Sequence, residues 1–400
     1  MSSGCRVEGF EIQDSRGNPT VGVRLTYNGV TKEATVPSGK SAGSREAHEL
    51  RDADGKGVSC AIKNIQTIIG PLLEGMPFDP EAMDRAMIAK DGTKDKSHLG
   101  ANAMLGVSIA LRRVAAVHDG VPLWKYIAKE SQNTPSFPRL YMNVINGGAH
   151  ANFALPFQEY ILIIGGGSPS DAYAKARVLY ESVGERVRKE FGEVALGDEG
   201  GYTFTSSDLE KPFAILQEVV GGVGGVEIGI DAAATELRHD GAYILSGKHM
   251  TTEDLQKFYA HIVGGYGLRS IEDPFAENDF DAFQYIHQHL GRRALIVGDD
   301  LTVTNPNIVS DMILRSAANA MIVKPNQIGT LREVYETVRR AKHAGWKLIA
   351  SHRSGETTDD FIADLAVGIG AYGLKAGAPS QEERRVKYER LIAIEKEYQH

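Results

Sequence analysis

Cysteine is scarce in this 400-residue chain, which has only Cys5 and Cys60. Two such distant residues give no disulfide framework and no CxxC pair, so a disulfide-stapled scaffold is excluded and a reducing compartment is indicated. Basic excess is missing as well. Lys and Arg number 44 against 52 Asp and Glu, giving a formal charge of −8 and a pI of about 5.9. That balance offers no footprint for nucleic acid or an anionic membrane surface. It leaves room for a cation, because acidic excess can be gathered at a metal site. No apolar run is long enough to span a membrane, and "MSSGCRVEGF" lacks the basic and apolar regions of a signal peptide. A soluble, cytoplasmic protein is the expectation. With 42% apolar residues, a chain of this length supports two domains with separate cores.

What is present first reads as α+β. Val21, Val23, Leu25 and Tyr27 alternate before an Asn28-Gly29 turn, a strong short hairpin signal. Helical patterns follow in "SCAIKNIQTIIGPLL", "PEAMDRAMIA" and "GANAMLGVSIALRRVAAVH". The polar, proline-bearing "SQNTPSFP" (131–138) marks the boundary, so the expected domains are 1–134 and 135–400.

The second part repeats an architecture. The short apolar runs "LRSIED", "ALIVGDD", "AMIVK", "KLIAS" and "YGLKAG" alternate with amphipathic segments. Glu272, Asp299, Lys324, Ser351 and Lys375 end successive runs at spacings of 27, 25, 27 and 24 residues. A strand, loop, helix and return loop need about that length. Thr330 with Glu333 and Ser380 with Glu383 read as capping boxes, and Asn305-Pro306 as an N-cap with proline at the first helical position. So many βα units close most economically as a barrel.

In such a barrel the carboxyl ends of the strands form the catalytic face. Those ends offer Asp231 from "VEIGID", then Glu272, Asp299, Lys324, the "SHRS" run (351–354) and Lys375. Three carboxylates from neighbouring strands are hard oxygen ligands suited to Mg²⁺. One acid alone could equally cap the next helix. Charge ending every strand in turn does not fit that explanation.

The chain resembles the enolase family over nearly its whole length. The stretches that carry the resemblance are "DSRGNPTV" (14–21), "VPSGKSAG" (36–43), "LGANAMLGVS" (99–108), "NGGAHANFALPFQE" (146–159), "GDEGG" (197–201), "SIEDPFAE" (270–277), "DDLTVTNP" (299–306), "KPNQIGT" (324–330) and "SHRSGET" (351–357). The resemblance implies an N-terminal three-stranded meander with helices, then a β/α barrel whose opening strands depart from regular order. It also implies Mg²⁺-dependent, reversible dehydration of 2-phospho-D-glycerate to phosphoenolpyruvate, with two Mg²⁺ per site.

By the same resemblance, Asp231, Glu272 and Asp299 are ligands of the tighter Mg²⁺, and Ser41 of the second. Lys324 is implied as the general base, its pKa depressed by nearby cations including Lys375. Glu199 is implied as the acid that protonates the departing hydroxyl, with Glu159 beside it. Two acids sharing a site raise one another's pKa, which favours a protonated donor. Arg353 and Ser354 match the phosphate clamp, Lys375 faces the substrate carboxylate, and His150, His352 and Gln158 flank the substrate.

The chain departs from the family pattern in places. Lys40 stands where the family has small alanine, Ala42 where it has threonine, and "HANF" (150–153) where it has His-Ala-Gly-Gly. The family forms dimers, or rings of dimers, held partly by ion pairs. Here those positions are Gly22 with Ala393 and Phe10 with Lys396, so a homodimer held mainly by apolar and backbone contacts is expected. Two phosphate motifs fail on inspection. "GKS" (39–41) lacks the P-loop glycine, since Ala34 is there, and "GIGAYG" (368–373) ends a helix instead of opening one. An acid-sugar dehydratase or a non-enzymatic scaffold on the same barrel are the rival readings.

Overall fold

The computed structural model describes residues 4–40 and 43–398. Arg6–Gln13, Pro19–Tyr27 and Val30–Thr35 form an antiparallel meander in sequence order. Asn28 and Gly29 both take positive φ (48° and 80°), which the tight hairpin turn demands. Val21, Val23 and Leu25 are fully buried beneath the helix Ala101–His118. Gly106 lets that helix approach, since a Cβ there would come within 2.6 Å of Val23. The pattern "SCAIKNIQTIIGPLL" forms Ser59–Asn64, a π turn Ile65–Ile69 and Gly70–Glu74. Pro71 cannot donate to the carbonyl of Thr67, and the helix widens just before it.

On the other face of the meander, Phe10 lies directly opposite Gly22. Any Cβ on residue 22 would meet the Phe10 ring at 2.3 Å. The ring covers the glycine, so a side chain at residue 22 would have to displace Phe10.

Eight strands close the barrel: Arg139–Asn146, Glu159–Ile164, Val226–Asp231, Leu268–Glu272, Leu295–Gly298, Ala320–Val323, Lys347–Ser351 and Gly373–Lys375. The last pairs in parallel with the first. Only Glu159–Ile164 runs against both neighbours, so the opening departs from regular βα order as the resemblance implies. Side chains including Tyr141, Ile161, Ile163, Val297 and Ile322 fill the lumen, and a larger apolar layer lies between strands and helices.

Two of the three expected helix starts appear. Asn305 accepts N–H groups of Asn307 and Ile308, and Thr330 accepts that of Glu333. Ser380 does not cap. The last helix, Glu382–Tyr398, begins a residue too late for it, and its hydroxyl donates to the Gly200 carbonyl at 3.3 Å.

Candidate active site

Strand register gathers the charges. Glu272 lies opposite Asp231, and Lys375 opposite Ser351, so these side chains leave one rim. Asp299 and Lys324 each follow the last residue of their strands. Glu159 reaches the same rim from the reversed strand, whose first residue is paired with Asn146 and Asp231. Glu199 arrives in the loop between the short strands Ala195–Leu196 and Tyr202–Thr203. His150, Gln158, Arg353 and Ser354 complete the same small cavity. Ser41 lies outside the described residues.

One flank is built of lysine–carboxylate pairs. Lys375 is 1% exposed, and its ammonium lies 2.8 Å from both Glu272 oxygens, 3.1 Å from Glu159 and 3.2 Å from Asp231. Burial works against its charge, but Asp231, Glu159 and Glu272 together raise its pKa well above the usual lysine value. Lys324 donates to Asp299, which also accepts from Gln327 at 2.9 Å. Burial alone would lower the Lys324 pKa. Asp299 more than offsets that, so the net shift is upward, opposite to the depression implied by neighbouring cations. The nearest countercharge decides the sign.

The other flank pairs acids with histidines. Burial and the neighbouring Glu199 push Glu159 well above the usual carboxylate range. Burial would raise Glu199 as well, but His352, His150 and Arg384 hold it well below. The two acids are therefore shifted apart, Glu159 toward the protonated form and Glu199 toward the ionised one, which corrects the expectation that mutual raising would leave Glu199 the protonated donor. Glu199 accepts from Asn143 Nδ2 at 3.1 Å, with His352 Nε2 3.3 Å and His150 Nδ1 3.9 Å away. Burial lowers both histidines, His352 to about 4, so both are neutral at pH 7.

Sequence reasoning missed several neighbours. The Arg353 fork grips Glu46 at 2.8 and 3.2 Å, bringing a carboxylate of the first domain onto the expected phosphate clamp. Glu46 is hidden in the charged run "REAHEL". The Ser354 hydroxyl accepts the Lys40 N–H at 2.8 Å. Lys40 Nζ reaches Asp198 at 2.8 Å and the Ala149 carbonyl at 3.1 Å. Asp273 accepts the N–H groups of Asp299 and Asp300 at 2.9 and 2.7 Å, and its sequence signal was the second acid of "IEDP". Burial, then Asp299, raises Asp300 to about 8.

The donor set fits a metal. Eight carboxylates and only three permanent cations line the cavity, an excess that protons or a divalent cation must offset. Asp231, Glu272 and Asp299 are buried oxygen donors at adjoining strand ends. Among the described residues, two groups each bring one donor atom per side chain within 4.8 Å of one another, Asp273 with Asp299 and Asp300, and His150 with Glu159 and Glu199; Asp231 and Glu272 fall in neither.

Fold and site together define a βα-barrel enzyme equipped for proton transfer beside an anionic substrate. Residues 5–127 match the family described as enolase, N-terminal domain, and residues 134–400 match enolase, C-terminal TIM barrel domain. An enolase of Methanopyrus kandleri is 44% identical over 407 aligned positions, covering 98% of this chain and 95% of that protein. The chain belongs to the enolase family. Its activity is that of a phosphopyruvate hydratase, a lyase that reversibly dehydrates 2-phospho-D-glycerate to phosphoenolpyruvate in glycolysis.

Proposed function

We propose that the two flanks divide this dehydration between them. Lys324 removes the C2 proton of 2-phospho-D-glycerate, and Glu199 protonates the departing hydroxyl with a proton that it takes over from Glu159, which has a carboxylate oxygen within 4.8 Å of one of its own. The observation that carries this reading is the contrast between a lysine on a carboxylate and two acids shifted in opposite directions within one buried cavity. Environments that push titratable groups apart in this way mark acid and base assignments, and the handling of enolase-type sites by a Lys or His base with Mg²⁺ is a general pattern of this chemistry. Asp299 keeps Lys324 an ammonium in the resting site, so Lys324 becomes a base only when Asp299 is engaged elsewhere.

Asp231, Glu272 and Asp299 would hold one Mg²⁺, and Ser41 would contribute to a second. When bound, Mg²⁺ supplies positive charge to a substrate carboxylate whose neighbouring carbon is losing a proton. Lys375 and Gln158 orient that carboxylate, Arg353 and Ser354 hold the phosphate, and His150 and His352 line the hydroxyl side. We assign the first domain to 1–134 and the catalytic barrel to 135–400, and the protein to the cytoplasm. A scaffold would not need base, acid and clamp together, and an acid-sugar dehydratase would not need the clamp. A coupled assay for phosphoenolpyruvate tests the reading. Turnover should appear with Mg²⁺ and vanish with excess EDTA; full turnover in EDTA, or none with Mg²⁺, would sink it.

The protein is further proposed to act as a homodimer that uses the outer face of the meander. Phe10 covers Gly22 there in place of an ion-pairing acid, and the nearby Arg24, whose guanidinium lies over the Phe10 ring, is paired within the sheet to Glu33 and Glu8. Such a contact is insensitive to salt. Sedimentation velocity at low and high ionic strength should give the same dimer, and dissociation by salt alone would count against it.

A further inference from the structure

Arg384 is fully buried, yet among the described residues no carboxylate is bonded to it. Its Nη1 donates to His352 Nδ1 at 2.6 Å and to the Arg353 carbonyl at 2.6 Å. Nη2 donates to the carbonyls of Ser354 at 2.7 Å and Asp198 at 3.3 Å, and Nε to Gln381 at 3.2 Å. One guanidinium thus ties the "SHRS" loop to the loop that carries Glu199. It sits on the last helix, Glu382–Tyr398.

A guanidinium has donors only, so any nitrogen it bonds must accept. His352 Nδ1 therefore carries no proton, and the neutral ring must carry its hydrogen on Nε2. That nitrogen faces the cavity, 3.3 Å from Glu199 Oε2 but without the alignment of a hydrogen bond. We infer that Arg384 is a positioning residue for the reaction: it fixes His352 as the neutral Nε2–H tautomer and aims that hydrogen at Glu199 and the leaving hydroxyl. His352 then serves as a fixed donor and never as an imidazolium proton carrier, because a proton on Nδ1 would point into a cation.

The other charged groups around the ring leave this arrangement intact. Glu199 faces Nε2 and favours a hydrogen there. Glu356, in the same loop as His352, is committed to Lys387 at 2.9 Å. Lys375, whose carbonyl accepts the His352 N–H at 2.9 Å, spends its ammonium on three carboxylates. Burial and Arg384 also keep His352 neutral in the direction already described.

The inference rests on Glu199 as the hydroxyl-side acid, but its test reads the ring itself. The experiment is ¹⁵N NMR of histidine-labelled, Mg²⁺-loaded enzyme from about pH 5 to pH 8, with the His352 signals assigned by loss in His352→Gln. The wild-type ring should show a protonated Nε2, a bare Nδ1 and no titration. In Arg384→Gln, either face of the amide can turn toward Nδ1, so the tautomer should mix and a titration should appear. kcat should then fall on the order of 10- to 100-fold with KM changed far less, as for other partners that orient a histidine. Arg384→Lys keeps a donor-only group and should restore the Nε2–H signature. A wild-type ring protonated on Nδ1, or one that titrates in this range, overturns the inference even if no variant folds. An unchanged tautomer and pH profile in Arg384→Gln overturn it as well.

Discussion

The two flanks of the cavity share buried carboxylates, set beside lysines on one side and histidines on the other, and reach different electrostatic states. On the lysine flank every cation rests on a carboxylate, and Lys324 and Lys375 are held charged. On the acid flank Glu199 has neutral histidines and an asparagine for company and is shifted downward, while Glu159, 3.1 Å from Lys375, is pushed upward by burial and by Glu199. Burial is nearly complete on both sides, so burial does not set the difference. The sum of the neighbouring charges does: several carboxylates hold each lysine charged, whereas burial and like charges keep Glu159 and Glu272 above the usual carboxylate range even beside Lys375.

Lys375 touches both flanks, so its removal should do most to break the contrast. Lys375→Met should abolish turnover and, without metal, cost about 3–5 kcal/mol at pH 7, because Asp231, Glu159 and Glu272 lose their shared cation. Without that cation the folded-state pKa values of Glu159 and Glu272, already raised by burial and neighbouring acids, rise further above their unfolded values. The folded variant then binds more protons as pH falls, so its deficit should shrink toward pH 5. Thermal unfolding of wild type and variant at both pH values checks this, and a deficit that stays constant would show that the three acids do not depend on Lys375. Mg²⁺ should also narrow the gap.

A smaller effect is expected at Lys40, which ties the first domain to the Glu199 and His150 loops through Asp198 and the Ala149 carbonyl. Both members of the ion pair are partly exposed, so it contributes only about 0.2–1 kcal/mol. Lys40→Ala should shift apparent affinity for substrate or Mg²⁺ by a few-fold at low ionic strength, and the difference should fade as salt is added. Equal kinetics at every salt concentration would reduce Lys40 to a surface residue.

The strand tips were legible because Glu272, Asp299, Lys324 and Lys375 each end an apolar run, where charge has no place in a core. The meander was legible in the same way, from Val21, Val23 and Leu25 alternating before Asn28-Gly29. Glu159 escapes a rule about strand ends, because its strand is reversed and the residue comes first instead of last. The resemblance alone pointed to it. Arg384 left no signal at all. In "EERRVKYER" it is one basic residue among several, and only the packing of the last helix against the "SHRS" loop sets it apart from the exposed Arg385 beside it. Glu46 is hidden for the same reason, since its partner Arg353 lies 307 residues away. The resting state of Lys324 was out of reach too, because the sign of its shift depends on which charge is nearest.

The division of labour between the flanks is tested most directly by exchange of the substrate C2 proton with solvent. It should be followed by NMR in the Mg²⁺-loaded enzyme for wild type, Lys324→Ala and Glu199→Gln. Abstraction precedes loss of the hydroxyl, so Lys324→Ala should lose exchange and dehydration together, by on the order of 10²- to 10⁴-fold. Glu199→Gln should lose dehydration to a similar extent and keep measurable exchange. Exchange lost equally in both variants, or retained in Lys324→Ala, would contradict the assignment of base and acid to separate flanks.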